Sequence, residues 1–114
     1  MSKVGDYDFY CETALKPNAN IVIEFENDLV LAFHHTKPSY EKHIVVIPKE
    51  HIHDIRDAKD EKLIINLILA SQLILNSWTD EYIQSNGAKI VTNLGKFQDT
   101  PHLHFHVIGG KKLD

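Results

Sequence analysis

His102-Leu103-His104-Phe105-His106-Val107-Ile108 is the stretch on which the reading of this chain turns. Side chains alternate faces along an extended strand. Read as a strand from His102 to Ile108, the segment puts its three histidines on one face and Leu103, Phe105 and Val107 on the other. The apolar face belongs against a core. The histidine face must look at solvent, a ligand or a metal. Imidazoles two positions apart sit about 7 Å from each other, and a row of three is a costly surface unless it has a chemical task. On the residues alone two functional readings stay open. One is a His-x-His metal site. The other is a histidine nucleophile flanked by imidazoles that orient it and hold an anion.

Outward from the triad, the pattern predicts the elements that frame it. Ile64, Leu67, Ile68, Ser71, Ile74, Leu75, Trp78 and Tyr82 recur at spacings of three and four, which marks one long helix from Glu61 to Asn86. Asp57 or Asp60 can cap its start, and Asn86-Gly87 supplies a stop. Leu63, Leu69, Leu73 and Ile83 widen the apolar surface beyond one stripe, which points to a second buried face and a partner subunit. Before the helix, residues 21–25, 29–33 and 43–47 read as strands, the first two joined through a tight turn at Asn27-Asp28. After it, residues 88–93 form a strand, a loop runs to Pro101, and Gly109-Gly110 ends the last strand. A short helix around Asp8–Leu15 is the weakest of these elements. The order β-β-β-α-β-β predicts an α+β domain: a mostly antiparallel sheet of about five strands with one long helix.

The chain has 114 residues, enough for one domain, residues 1–114, with a core that needs no disulfide. Cys11 is the single cysteine, which fits a reducing compartment. Net charge is −4 and Arg56 is the only arginine, a balance that argues against a nucleic-acid partner. No apolar run approaches the roughly 20 residues of a bilayer span, and the amino terminus lacks an apolar signal core. The expectation is a soluble, cytoplasmic protein with no membrane partner. Eight histidines are present: besides the triad, His34-His35, His43, His51 and His53. With one arginine, any phosphoryl group must be handled by imidazoles, backbone N–H groups and side chains such as Gln98 and Thr100.

At this point the residues carry a resemblance. The triad matches the His-φ-His-φ-His-φ-φ pattern of the histidine triad family of nucleotide hydrolases and transferases. Leu31-Ala32-Phe33-His34 and His43-Ile44-Val45-Val46-Ile47-Pro48-Lys49-Glu50-His51 resemble two further segments of that family, and Asn93, Gly95 and Gln98 fall where it has an Asn-x-Gly…Gln loop. The similarity runs from about residue 8 to 110 and looks most like the small nucleotide-binding, phosphoramidate-cleaving branch. It implies a HIT-like fold, a homodimer and a purine nucleotide or nucleoside phosphoramidate as substrate. His104 would be the nucleophile that forms a covalent nucleotidyl-histidine. His106 would hold phosphate oxygens and help the leaving group, His102 would keep His104 in place, and His43 would complete the site. Asn93 and Gln98 would contact ribose or phosphate, while Phe33, Phe9 and Tyr10 would line the base pocket.

The chain also departs from that pattern. His35 stands where the family often has an acidic residue that grips ribose hydroxyls. Asp99 follows Gln98, a carboxylate beside a phosphate site. The resemblance implies a reaction that needs no metal or other cofactor. An Asp8, Cys11, His51 and His102 set is the conceivable counterpart of the structural zinc found in some members, with Asp8 in place of their first cysteine. Three other functions stay open: a purine-nucleotide-binding module with vestigial catalysis, a dinucleoside polyphosphate hydrolase, and a metal-dependent enzyme with the triad as ligands.

Overall fold

The computed structural model describes residues 10–17 and 19–114. Five strands, β1 (Ile23–Glu26), β2 (Val30–His34), β3 (Tyr40–Pro48), β4 (Ala88–Thr92) and β5 (Phe105–Lys112), form one sheet in the order β1-β2-β3-β5-β4, every neighbouring pair antiparallel. The chain is α+β, as its pattern of elements predicts. β1 turns into β2 because the Asn27 side chain accepts from the Leu29 and Val30 N–H groups at 2.8 and 2.9 Å. β3 is the apolar centre strand, buried on both faces from His43 to Pro48.

Each face of the sheet has its own core. Val30, Ala32, Ile44, Val46, Leu103, Phe105 and Val107 pack under Leu63, Leu67, Ala70 and Ile74. Leu31, Phe33, Val45 and Ile47 pack under Tyr10 and Ala14. The triad's apolar side therefore faces the helix, and its histidine side faces the amino-terminal turn. That turn is wide, closed by the Leu15 N–H on the Tyr10 carbonyl at 2.8 Å, over the part of the expected Asp8–Leu15 helix that is described.

Three expectations need correction. The helix expected from Glu61 to Asn86 is two: α1 (Glu61–Asn76), capped by Asp60, and α2 (Asp80–Asn86), bent by 94° from it. Ser77 Oγ donates back to the Ile74 carbonyl at 2.6 Å, and Thr79 Oγ1 accepts from the Tyr82 N–H at 3.0 Å. Small hydroxyl side chains compete for the backbone here, stopping one helix and starting the next. Ile68 lies on the exposed side of α1, not in the buried stripe. The last strand begins at Phe105, not His102, and continues through Gly109-Gly110 to Lys112. The His102 and Leu103 N–H groups are taken by the Thr100 and Ile52 carbonyls, so the triad enters β5 from a loop. The glycines serve passage rather than termination. A Cβ on Gly109 would lie 2.8 Å from Trp78 Cζ3, and Gly110 has a φ of +81°. No single helix among the described residues is long and apolar enough to cross a membrane.

Candidate functional site

The triad rings are buried rather than displayed, with His102, His104 and His106 all below a tenth exposed. A buried imidazole must satisfy its nitrogens, and the partners decide which one carries the proton. Nδ1 of His104 lies 2.7 Å from the His102 carbonyl, which can only accept. The neutral His104 ring is therefore protonated at Nδ1, and the Nε2 lone pair is left for the cavity the ring lines. Nδ1 of His43 accepts the Ser39 N–H at 3.0 Å, so His43 carries its proton on Nε2 and donates it to His106 Nδ1 at 2.8 Å. His106 then presents Nε2–H. One bare nitrogen and one N–H thus stand side by side, on rings 4.7 Å apart.

Burial keeps these rings neutral. It holds His43 at about 4 and His106 at about 3, with the neighbouring imidazoles adding to the effect. His104 and His35 are lowered for the same first reason, opposed in part by the Asp99 carboxylate. Neutral imidazole is the nucleophilic form.

In front of His104 and His106 lies a cavity of about 270 Å³, walled by Tyr10, Phe33, Val45 and Thr100 and rimmed by His35, Lys37 and Asp99. Tyr10 stands 5.1 Å from the His104 ring and 5.9 Å from Phe33, so the apolar end of the cavity abuts His104. Of the residues expected in the site, His104, His106, His35, Asp99, Phe33 and Tyr10 are brought together here. Asn93 and His43 line an adjoining cavity with His106. Phe9 lies outside the described residues. Gln98 lines neither cavity: its amide donates to the His53 carbonyl at 2.6 Å. The His102 side chain also faces elsewhere, its Nε2–H donating to the Pro48 carbonyl at 2.9 Å, so it holds His104 through its backbone. Arg56 is committed to the buried Asp54 carboxylate by a two-point pair at 3.0 and 2.7 Å, which holds that acid at about 2.

Two clusters of possible metal ligands occur among the described residues, and the triad itself is not one of them. Cys11 Sγ lies 3.5 Å from His51 Nδ1 and 3.4 Å from His102 Nδ1. With Nε2–H given to Pro48, His102 has its lone pair on the nitrogen facing the sulfur, so the donor set suits zinc. Asp8 lies outside the described residues. The second cluster, His35, His43 and His106, is not suited to a metal. Nδ1 of His43 accepts from Ser39 N–H and Nδ1 of His35 from Lys37 N–H at 2.9 Å, so each neutral ring has its proton on Nε2. Reading single residues also missed Ser39, Tyr40 and Lys89; the period-two row Lys89-x-Val91-x-Asn93 was the available signal.

Comparison with known proteins agrees with this architecture. An uncharacterized HIT-like protein of Synechococcus elongatus is 36% identical over 95 residues, 80% of each chain. One from Helicobacter pylori is 33% identical over 89 residues, 76% of this chain and 82% of that protein. A HIT family hydrolase from Legionella pneumophila superposes with a TM-score of 0.77 at 25% identity, covering 95% of this chain and 96% of that one. The HIT domain model matches residues 16–113. A family match over nearly the whole chain, with relatives of one third identity and a shared fold, settles the membership: this chain belongs to the HIT domain family.

Proposed function

We propose that the protein is a nucleotidyl hydrolase that cleaves a nucleoside phosphoramidate, or a related purine-nucleotide compound, through a covalent intermediate on His104. One observation carries this reading: the His102 carbonyl fixes the His104 proton on Nδ1 and leaves Nε2 bare toward the cavity. The base would lie against Phe33 and Tyr10. Nε2 of His104 attacks phosphorus, the P–N bond breaks, and the nitrogen leaves with the bonding pair and one proton taken from solvent. His106 Nε2–H holds a non-bridging oxygen as charge builds on it. Water then attacks phosphorus, the electron pair returns to Nε2, and the water's spare proton returns to solvent. The net change is one water consumed, with amine and nucleoside monophosphate released.

The test is to trap the intermediate. Rapid quenching with adenosine phosphoramidate should give a mass increase of one nucleotidyl group on the peptide containing His104. No adduct, or one on another histidine, would sink the reading. Asp99 at the rim and the engaged Gln98 favour a second reading, a nucleotide-binding module with vestigial turnover; calorimetry beside the activity assay separates the two. Cys11, His51 and His102 would hold a structural zinc, which would brace the amino-terminal turn and supply no chemistry to the cleavage.

A further inference from the structure

Two cavities open on His106. The first runs to Phe33 and Tyr10. The second, of about 300 Å³, lies beyond it and is lined by Ser39, Tyr40, His43, Lys89, Asn93 and Ile108. Both include His35, His106 and Asp99, so they join beside the nucleophile.

Sheet register sets the reach of the second arm. Val91 pairs with His106, and Lys89 pairs with Ile108. Residues directly opposed in an antiparallel ladder put their side chains on the same face. Lys89 therefore stands two residues, about 7 Å along the strand, beyond His106. Its ammonium lies over the Tyr40 ring at 5.1 Å and makes no ion pair among the described residues. A cation held on an aromatic face, without a carboxylate partner, at the wall of a cavity is placed to receive an anion. His35 and Asp99 stand at the junction with His106, while His43 and Lys89 share the rung of Ile108 one step farther, so a carboxylate marks the near end of the arm and the ammonium its far wall.

We propose that this second arm receives the group expelled at phosphorus and selects one whose tail ends in a carboxylate or a phosphate, set against Lys89. The inference rests on the hydrolytic reading and names the part of the substrate that reading leaves open. An amine nitrogen at the junction sits near Asp99, and its anionic tail meets Lys89. A cationic tail meets repulsion at the far wall.

The test reads binding before turnover. Uncleavable adenosine 5′-sulfamates with tails of matched length, ending in carboxylate, phosphate, a neutral amide or an ammonium, are titrated by calorimetry into wild-type protein, Lys89→Met, Lys89→Glu and Lys89→Arg. Each variant is first checked for a native melt. In the wild type at least one anionic tail should bind about threefold to tenfold tighter than the neutral one. Lys89→Met should erase the difference, Lys89→Glu should turn it toward the ammonium tail, and Lys89→Arg should retain it. The two anionic arms show which anion is meant. Equal affinity for all tails in the wild type, or an anionic preference that survives Lys89→Glu, overturns the proposal. Phosphoramidates carrying the same tails separate the two claims. A tail preference in binding without any cleavage rejects the hydrolase and keeps the subsite. Cleavage with equal kcat/KM for every tail rejects the subsite and keeps the hydrolase.

Discussion

Each imidazole in the cleft is anchored at one nitrogen and offers the other: His104 through the His102 carbonyl, His43 through the Ser39 N–H, His106 through His43. Removing the offered nitrogen of His104 should remove the chemistry and leave the pocket. His104→Ala is expected to lower kcat/KM for adenosine phosphoramidate by about ten-thousand-fold, while AMP binding by calorimetry changes far less. Burial of the same rings sets the pH response. His43 and His106 are held near 4 and 3, below the ordinary 6.5, so the folded chain binds fewer protons than the unfolded chain between those limits. Stability should therefore fall as pH drops below about 6.5, and His43→Asn should show a shallower decline in melting temperature from about pH 7 to about pH 4.5. The triad spacing made His104 and His106 legible in the sequence. The tautomers were not, because their partners are main-chain groups of residues 39, 37 and 102 that no letter encodes. Gln98 was misplaced for the same reason: its partner, the His53 carbonyl, is brought to it only by folding.

The elements show where periodicity suffices and where it misleads. Leu63, Leu67, Ala70 and Ile74 are buried as a helical stripe, and Leu67 is fully enclosed. Leu67→Ala should cost about 2–5 kcal/mol in a denaturant titration. The 61–86 periodicity is continuous in apolar residues, so it concealed a break written in hydroxyls at Ser77 and Thr79. That break lets Trp78 lie against β5, where Gly109 admits it. Gly109→Ala should destabilise by about 1–3 kcal/mol through overpacking, with activity at low temperature retained. The amino-terminal turn meets the loop before β5 through Cys11 and His102. If zinc braces that junction, purified protein contains about one zinc per chain, and a chelator lowers the melting temperature without abolishing turnover of the remaining folded protein.

For the whole molecule, one surface is out of keeping with an isolated globule. Ile65, Ile68, Leu69 and Leu73 are all at least two-fifths exposed along one side of α1. A contiguous apolar stripe of this kind is a surface for association. Sedimentation at micromolar concentration should give a dimer, and Leu69→Asp with Leu73→Asp should give a folded monomer. A wild-type monomer would leave the stripe without this explanation. The excess of apolar helix positions was visible in the sequence, and so was the α+β class. The strand order was not: β5 inserts between β3 and β4, and that pairing alone brings His43 to His106 and Lys89 into their row.

The acceptor that fixes the His104 proton belongs to the main chain of residue 102. No allele at that position deletes it. A mutation that replaces the 102 imidazole forfeits its contacts with Pro48 and Cys11, yet inherits the carbonyl. Replacing the first of three identical letters should therefore loosen the fold yet spare the tautomer, whereas on the proposed mechanism the second has no substitute.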